Sequence, residues 1–352
     1  MAEAAAAITG EGIEIRNLYK IFGKNAGTHV EAVRAGLSKA ELNRRHGHVL
    51  GLNNINISMP AGSIQVIMGL SGSGKSTLIR HINRLIDPTA GQIIVGGQDV
   101  VAMSPTQLRE YRRHETAMVF QKFALLPHRT VLANTVYGLE VQGVPQAQRR
   151  ERAMRWIERV GLKGFEERYP NQLSGGMQQR VGLARALTND APILLMDEAY
   201  SALDPLIRVD MQTVLLDIQK EIRKTIVFIT HDLDEALRLG DQIAILRDGE
   251  VIQQGTSQDI VLRPADAYIA TFVREVNRGR VIRVEAVMSA VAGDPPAGPS
   301  LRPDTMLEAA VKQMVASRAD AMRVVDGEDR VVGLLELPQA IAAMVSPAAA
   351  ER

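Results

Sequence analysis

The sequence of 352 residues contains no cysteine, which excludes disulfide bonds, thiolate metal sites and a cysteine nucleophile. A reducing compartment is therefore compatible with the chain. Aromatic residues make up only 4%, and 41 basic side chains almost balance 40 acidic ones. Both observations disfavour a nucleic acid partner, because binding one needs stacking platforms or an excess of positive charge.

Long apolar runs are also absent from the sequence. Runs such as "TIVFIT" and "ILLM" fall far short of the roughly 18 residues that a membrane-spanning helix needs. The N-terminal "MAEAAAAITGEG" lacks the basic region of a secretory signal. We expect a chain that is soluble by itself, has two domains, and reaches a membrane only through a partner.

A glycine-rich motif, "GLSGSGKST", stands between the buried strand "IQVIM" and the helical "TLIRHINRL". It matches G-x-x-x-x-G-K-[ST] in the strand–helix setting that this phosphate-binding pattern requires. The glycines let backbone N–H groups turn inward, Lys75 bridges β- and γ-phosphate oxygens, and Ser76 ligates Mg²⁺. The motif predicts contacts with a nucleoside triphosphate at Gly69, Leu70, Ser71, Gly72, Ser73, Gly74, Lys75, Ser76 and Thr77.

Two carboxylates end the apolar run "ILLMDE". Such a pair is often only the polar edge of a strand. Beside a phosphate loop, however, Asp197 is placed to hold the magnesium shell, and Glu198 to polarise the attacking water as a general base. A second glycine turn, "LSGGMQQR", opens another helix with Ser174 as its N-cap. It has no lysine, so it predicts an anion site that supplements the first.

The order of these motifs, with "VFQKF", "SALD" and "FITHD" between or after them, resembles the ATP-binding subunits of ABC transporters over about residues 11–275. The resemblance implies an α/β P-loop NTPase: a RecA-like core, an antiparallel β subdomain and a helical subdomain at about 122–180. It also implies ATP hydrolysis by a head-to-tail homodimer. The signature residues Leu173, Ser174, Gly175, Gly176, Met177 and Gln178 of one copy then cap the γ-phosphate held by the other.

Further roles follow from the same resemblance. Gln121 approaches Mg²⁺ and the attacking water, so that Ser76, Gln121 and Asp197 form the metal set. His231 contacts the γ-phosphate, and the catalytic set is Glu198, His231, Lys75 and Gln121. The loop between the two ATP sites is formed by Ser201, Ala202, Leu203 and Asp204.

Two assignments within the resemblance have alternatives. Phe22 matches the aromatic residue that stacks on adenine, but Tyr19 is a second candidate. The apolar "KFALLPHRTVLANTVYG" after Gln121 matches a groove that receives the membrane subunit. Its apolar residues Leu125, Leu126 and Val131 are also suited to the core of the helical subdomain.

Three features closely resemble the ATPase subunits of importers of glycine betaine, proline and choline: a helical insert at about 24–50 and the sequences "IMGLSGSGKSTLIRHINRLIDPT" and "AMVFQKFALLPHRTVL". That likeness implies membrane permease partners, an indirect solute-binding protein, and a peripheral location on the cytoplasmic face of the inner membrane. The transported solute itself cannot be deduced from an ATPase subunit. The alternatives are an importer for another solute and a non-transport ABC ATPase; a P-loop kinase or GTPase leaves "LSGGMQQR" unexplained.

A composition change near residue 280 predicts an ATP-binding domain at 1–278 and a second region at 279–352, which contains the linker "SAVAGDPPAGPS" and a small module after it. The tail predicts a helix at Thr305–Ser317, the strands "AMRVVD" and "RVVGLLEL", and a helix at Pro338–Met344. This small α/β unit resembles a single regulatory module of the cystathionine-β-synthase (CBS) type, which would pair with the copy in a second subunit. A plain packing appendage is the alternative.

Overall fold

The computed structural model describes residues 10–201, 203–290 and 298–345. They divide into two compact units, with the boundary between Ile252 and Gln253. The sequence instead places the domain boundary at residue 278, and the domain limits stay a prediction.

The first unit is built from two sheets and their helices. Its strands are β1 (Ile13–Phe22), β2 (Val49–Met59), β3 (Ile64–Met68), β4 (Ala90–Val95), β5 (Gln98–Asp99), β6 (Thr116–Val119), β7 (Ile193–Asp197), β8 (Thr225–Thr230), β9 (Gln242–Arg247) and β10 (Glu250–Gly255), the last of which extends across the boundary. Its helices are α1 (Val30–Arg34), α2 (Lys39–His46), α3 (Lys75–Ile82), α4 (Pro105–His114), α5 (Val131–Thr135), α6 (Tyr137–Val141), α7 (Gln146–Arg159), α8 (Gly175–Thr188), α9 (Pro205–Ile222) and α10 (Leu233–Leu239).

The larger sheet has the strand order β10-β9-β3-β8-β7-β6, and the five strands from β9 to β6 run parallel. Strands β3, β7 and β8 are buried along their whole length, which explains their continuous apolar sequences. Parallel strands place their carboxyl ends at one edge of the sheet. The residues that follow β3, β6, β7 and β8 therefore meet there.

The smaller sheet is antiparallel, in the order β2-β1-β4-β5. The stretch "GLNNINISMPAGSIQVIMGL" predicts two strands joined by a turn that begins at Pro60. Both strands are present as β2 and β3, but they lie in different sheets. The main core forms between the two sheets and includes Leu78, Ile79 and Ile82 of α3. Burying side chains of this size contributes about 1.5–3 kcal/mol each, which fixes α3 with its N-terminus at the sheet edge.

Residues 24–50 contain α1 and α2, which pack on β1 and β2. Val30, Val33 and Leu42 form a second cluster with residues of these strands. Helix α2 begins after Ser38, whose hydroxyl accepts from the Glu41 N–H at 3.2 Å. It ends at Gly47, which has a φ of 67°.

Residues 122–180 contain α5, α6, α7 and the start of α8. The sequence of α7 predicts one apolar face made of Ala153, Met154, Ile157 and Val160. Ala153, Ile157 and Val160 are buried, and Met154 is half-buried. In the apolar stretch after Gln121, Val131 is buried, while Leu125 and Leu126 are half-buried. A core position is thus the correct interpretation for Val131.

The second unit contains α11 (Ser257–Leu262), α12 (Ala267–Val273), β11 (Ser300–Leu301), α13 (Leu307–Ser317), β12 (Ala321–Val325), β13 (Val331–Glu336) and α14 (Leu337–Met344). The predicted helix–strand–strand–helix order is confirmed, with α13 beginning two residues later than predicted, after its N-cap Met306. The short strand β11 is an addition. It runs parallel to β12, which pairs antiparallel with β13. The middle of the predicted linker, 291–297, lies outside the described residues.

Burial of His81 in α3 predicts an acid-sensitive fold. Burial lowers the pKa of His81 from 6.5 to about 4, although its Nδ1 lies 2.6 Å from the Thr77 carbonyl oxygen. At pH values between 4 and 6.5, His81 therefore binds a proton in the unfolded chain but not in the folded chain. The free energy of unfolding is therefore unaffected at pH 7 and falls as the pH drops from 6.5 towards 4, by about 2 kcal/mol at pH 5.

We expect His81→Asn to remove this fall in the free energy of unfolding, whatever the substitution does to stability at pH 7. Urea unfolding of the variant and the unmodified chain at pH 7 and pH 5 measures the difference. A loss of stability between the two pH values that was equal in the variant and the unmodified chain would contradict the assignment to His81.

Candidate active site

The loop between β3 and α3 is shaped by three glycines. Gly69, Gly72 and Gly74 have φ values of 153°, 80° and 104°. A Cβ at Gly69 would collide with the Leu246 carbonyl oxygen, and one at Gly74 would lie 2.8 Å from the Gly51 carbonyl oxygen. Helix α3 begins directly after the loop, so the N–H groups of its first turn have no partner within the helix and point out of its end. The result is a concave site for an anion.

Lys75 lies in this loop with only 4% of its surface exposed. Its Nζ donates to the carbonyl oxygens of Gly69 at 2.8 Å and Leu70 at 3.1 Å, and lies 3.7 Å from Oε1 of Glu198. Burial lowers the pKa of Lys75, and the negative charge of Glu198 partly offsets the effect. The ammonium group is thus desolvated and held at the mouth of the loop, where a phosphate would face it.

Ser76 and Asp197 join α3 to the end of β7. The Ser76 hydroxyl donates to Asp197 Oδ1 at 2.8 Å, and Arg80 donates to Oδ2 at 3.1 Å. Asp197 is almost fully buried. A hydroxyl and a carboxylate are oxygen ligands that Mg²⁺ takes together with substrate phosphates. The buried Ser73 hydroxyl in the same loop has no hydrogen-bond partner among the described residues. These residues therefore fit Mg²⁺ and a polyphosphate.

Glu198 is the centre of the site. It has a φ of 46°, a left-handed conformation that is costly for a residue with a side chain and is often found at functional sites. Its Oε2 accepts from Nε2 of Gln121 at 3.0 Å and lies 3.8 Å from Nδ1 of His231. Three residues from separate elements thus meet around the carboxylate of Glu198: Lys75, Gln121 and His231.

The segment after Glu198 is hydrogen-bonded to the backbone of Glu198. The Ser201 hydroxyl donates to the Glu198 carbonyl oxygen at 2.9 Å, and the buried Leu203 follows. Asp204 caps α9 by accepting from the Ile207 N–H at 3.1 Å. Ala202 lies outside the described residues.

The second glycine turn has the predicted geometry at the start of α8. The Ser174 hydroxyl accepts from the Met177 N–H at 3.3 Å, and Gln178 donates to the carbonyl oxygens of Pro170 and Leu173. Ser174 and Gly175 are exposed, whereas a Cβ at Gly176 would lie 2.8 Å from Ile207 Cγ2. Within the described part of the chain, no hydrogen bond or ion pair joins this turn to the loop at 69–77.

The two aromatic candidates differ in exposure. Tyr19 is 6% exposed and lies in the second core cluster, whereas Phe22 at the end of β1 is 40% exposed. A Cβ at Gly51 would lie 2.7 Å from Phe22 Cε2, and the Gly51 carbonyl oxygen lies beside Gly74. Phe22 is therefore close to the phosphate loop and partly exposed, with Nζ of Lys20 lying 5.0 Å from its ring centroid.

Three contributors to the site were not found from the sequence. Arg80 follows Ser76 by four residues and so lies on the same helical face, a spacing that could have identified it. Arg208 donates to Asp232, next to His231, and to the Leu203 carbonyl oxygen. Gly249 donates to the Ser73 carbonyl oxygen at 3.1 Å and supports the loop from the turn between β9 and β10. The contributions of Arg208 and Gly249 can be recognised only once the fold is known.

A parallel sheet that ends in a glycine loop, a buried lysine and a Ser–Asp pair defines a P-loop nucleotide-binding protein. Comparison with known proteins narrows the class. A family model for "ABC transporter" matches residues 52–201. The glycine betaine transport ATP-binding protein OpuAA of Bacillus subtilis is 54% identical over 78% of this chain, and the chain spans 66% of that relative's length.

Two further proteins extend the likeness. The trimethylamine N-oxide transport system ATP-binding protein TmoW of Ruegeria pomeroyi is 44% identical over 92% of this chain and 94% of its own length. The ATP-binding cassette MJ0796, solved as a dimer in a post-hydrolysis state with ADP and Pi, is 32% identical with a TM-score of 0.60; the match covers 70% of this chain and 98% of that one. The chain belongs to the family of ABC transporter ATP-binding proteins. No helix in the described ranges has both the length and the hydropathy to cross a membrane.

Proposed function

We propose that this chain hydrolyses ATP to drive a membrane importer of small solutes with a positively charged nitrogen. The candidates are the quaternary amines glycine betaine, proline betaine and choline, together with proline. The observation that carries the hydrolytic part is the convergence of Lys75, Gln121 and His231 on the carboxylate of Glu198 beside a phosphate loop. The proposed class of solute comes from the relatives of this chain, whose names include glycine betaine and trimethylamine N-oxide. Both of these solutes carry three methyl groups on nitrogen.

In the proposed reaction the loop at 69–77 binds the phosphates of ATP through its backbone N–H groups and Lys75. Glu198 accepts the proton of the attacking water, and the γ-phosphoryl group leaves ADP. Lys75 and His231 stabilise the charge that develops on the phosphoryl oxygens. Gln121 holds the carboxylate of Glu198 in place until the substrate is bound.

The residues that would hold Mg²⁺ are Ser76, Asp197 and Gln121. The metal ion, when bound, supplies positive charge that neutralises the phosphate oxygens. The existing hydrogen bond from Ser76 to Asp197 keeps these two ligands together, and Arg80 holds the second oxygen of the carboxylate.

The proposed working unit is a pair of chains. The second glycine turn exposes the N-terminus of α8, which favours an anion, yet no hydrogen bond of the described residues connects it with the chain's own phosphate loop. A head-to-tail dimer supplies the missing phosphate from the partner's loop. We place this dimer beneath permease subunits at the cytoplasmic face of the inner membrane, with a solute-binding protein on the other side.

The tail at 279–352 is proposed to be a regulatory module of the CBS type. In support, β11, α13, β12, β13 and α14 follow one another as a strand–helix–strand–strand–helix unit with a three-stranded sheet. A packing appendage is the alternative. Deletion of residues 279–352 distinguishes the two, because a regulator changes how transport responds to ionic strength whereas an appendage changes only stability.

Reconstitution tests the proposed function. The chain is co-purified with its permease, inserted into proteoliposomes and supplied with the binding protein. We expect Mg-ATP to drive uptake of labelled glycine betaine, with choline, proline and trimethylamine N-oxide as competitors. Uptake of another solute class alone would support the second importer hypothesis, and hydrolysis that ignores every permease would support a non-transport ATPase.

Exposure of Phe22 predicts that this residue, rather than Tyr19, is the adenine platform. Loss of one stacking partner costs about 1–3 kcal/mol, so Phe22→Ala should raise the Kd for ATP about tenfold. Titration with a fluorescent ATP analogue measures it. Tyr19→Leu is the matched control, because it removes an aromatic ring but keeps a buried apolar side chain. A larger loss of affinity in the control would assign the platform to Tyr19.

A further inference from the structure

Helix α8 rests along one face on the segment that follows β6. A Cβ at Gly175 would lie 4.0 Å from the ring of Phe123, and one at Gly182 would lie 3.8 Å from the Phe123 carbonyl oxygen. These glycines are seven residues apart and so share a face of the helix. The helix that begins with the second glycine turn thus contacts the segment that begins with Gln121.

Arg185, three residues beyond Gly182, holds this segment directly. Its guanidinium donates to the carbonyl oxygens of Ala124 at 2.7 Å and Phe123 at 3.1 Å. Phe123 and Ala124 have φ values of 55° and 48°. Two consecutive left-handed residues with side chains are unfavourable, and such backbone persists only when surrounding contacts hold it. A planar guanidinium can bridge both carbonyls, which a lysine cannot do in the same way.

Gln179 lies between Gly175 and Gly182 on the same face of α8. Its side chain is fully buried, and neither Oε1 nor Nε2 has a partner among the residues that the structure describes. An unpaired buried amide is costly, and apolar residues of similar size would avoid the cost. The amide therefore suits a second arrangement of its neighbours in which it is paired.

The neighbouring segment carries a residue whose partner changes in the proposed reaction. Nε2 of Gln121 donates to Glu198 here, whereas the proposed reaction needs Gln121 in the magnesium shell and Glu198 free to accept a proton from water. The backbone at Phe123 and Ala124, two and three residues further along the chain, helps to set where the Gln121 side chain lies. That backbone is the part clamped by Arg185.

We propose that Arg185 and Gln179 are positioning residues that couple the turn at Ser174 to Gln121. Arg185 holds the strained loop with Gln121 on Glu198, and Gln179 pairs with the loop backbone once Gln121 has moved to the metal. This inference rests on the proposed function and adds a direction of communication. A phosphate of the partner subunit that binds at Ser174 shifts α8 and thereby the chain's own Gln121, so that the two ATP sites act cooperatively.

Two variants test the coupling in the full chain with its permease. We expect Arg185→Lys to lower kcat about tenfold and to bring the Hill coefficient for ATP close to 1, with little change in the Kd for ATP. Hydrogen exchange at 120–125 should become faster. Arg152→Lys on the exposed face of α7 is the matched control and should leave all four measurements unchanged.

Gln179→Leu tests the same coupling independently if Arg185→Lys folds poorly. It removes an unpaired amide, so its melting temperature should equal or exceed that of the unmodified chain, while cooperativity and kcat fall as in Arg185→Lys. Gln65→Leu is the control, because it removes another buried amide with an unpaired oxygen. It should leave the cooperativity and kcat unchanged.

Unchanged cooperativity in Gln179→Leu, or an equal loss in Gln65→Leu, would overturn the coupling. No hydrolysis by the unmodified complex would instead overturn the proposed function itself.

Discussion

Glu198→Gln is expected to bind ATP as well as the unmodified chain or better, and to hydrolyse it about 10²–10⁴-fold more slowly. The side chain keeps its size and can still bond to Gln121, but it can no longer accept the proton of the attacking water. Loss of a negative charge 3.7 Å from Nζ of Lys75 also removes a group that repels the γ-phosphate. With hydrolysis blocked, ATP should hold two chains together.

Single-turnover hydrolysis and light scattering with saturating Mg-ATP measure the two effects. Glu110→Gln is the matched control, because Glu110 forms an exposed pair with Arg113 on α4 and should not affect turnover. The same dimer should not form with ADP. A Glu198→Gln protein that stayed monomeric, with and without the permease, would contradict the head-to-tail model.

Much of the first unit could be predicted because its motifs lie at the boundaries of strongly patterned elements. The continuous apolar strands β3, β7 and β8 identify a parallel sheet, and such strands bring their terminal residues to one edge. That is sufficient to bring Lys75, Asp197, Glu198 and His231 together. The geometry at Glu198 was not predictable, because nothing in "MDEAY" indicates a left-handed residue.

Other features depend on contacts between segments distant in sequence. Burial of Tyr19 and exposure of Phe22 follow from the packing of α1 and α2 on β1. The strand pattern alone could not decide which of the two residues stacks on adenine. The clamp from Arg185 to Phe123 and Ala124 joins residues 61 and 62 positions apart in the sequence. Strand β11 has only two residues, too few to produce an alternating pattern.

Ser174→Arg is expected to abolish steady-state hydrolysis, with a loss of about 10²-fold or more, while ATP still binds to the first loop. The hydroxyl caps α8 at an exposed helix end, where the site needs close approach of a phosphate from the partner chain. A long side chain at this position blocks that approach. It lies outside the residues that bind the chain's own nucleotide.

Loss of the cap also destabilises α8 by about 1 kcal/mol, so the control must lose a cap as well. Ser104→Arg meets this condition, since Ser104 caps α4 by accepting from the Gln107 N–H and is exposed. It should lose similar stability and keep its hydrolysis.

Mixing Ser174→Arg with Glu198→Gln gives a sharper test of the same prediction. In a head-to-tail dimer of one chain of each kind, one of the two sites combines an intact Glu198 with the intact turn of the Glu198→Gln chain. The other site combines the substituted glutamine with the altered turn. Such a mixed dimer therefore contains one complete site, and the mixture should recover hydrolysis that neither variant shows alone. Activity no greater than the sum of the separate variants would show that each chain completes its own site.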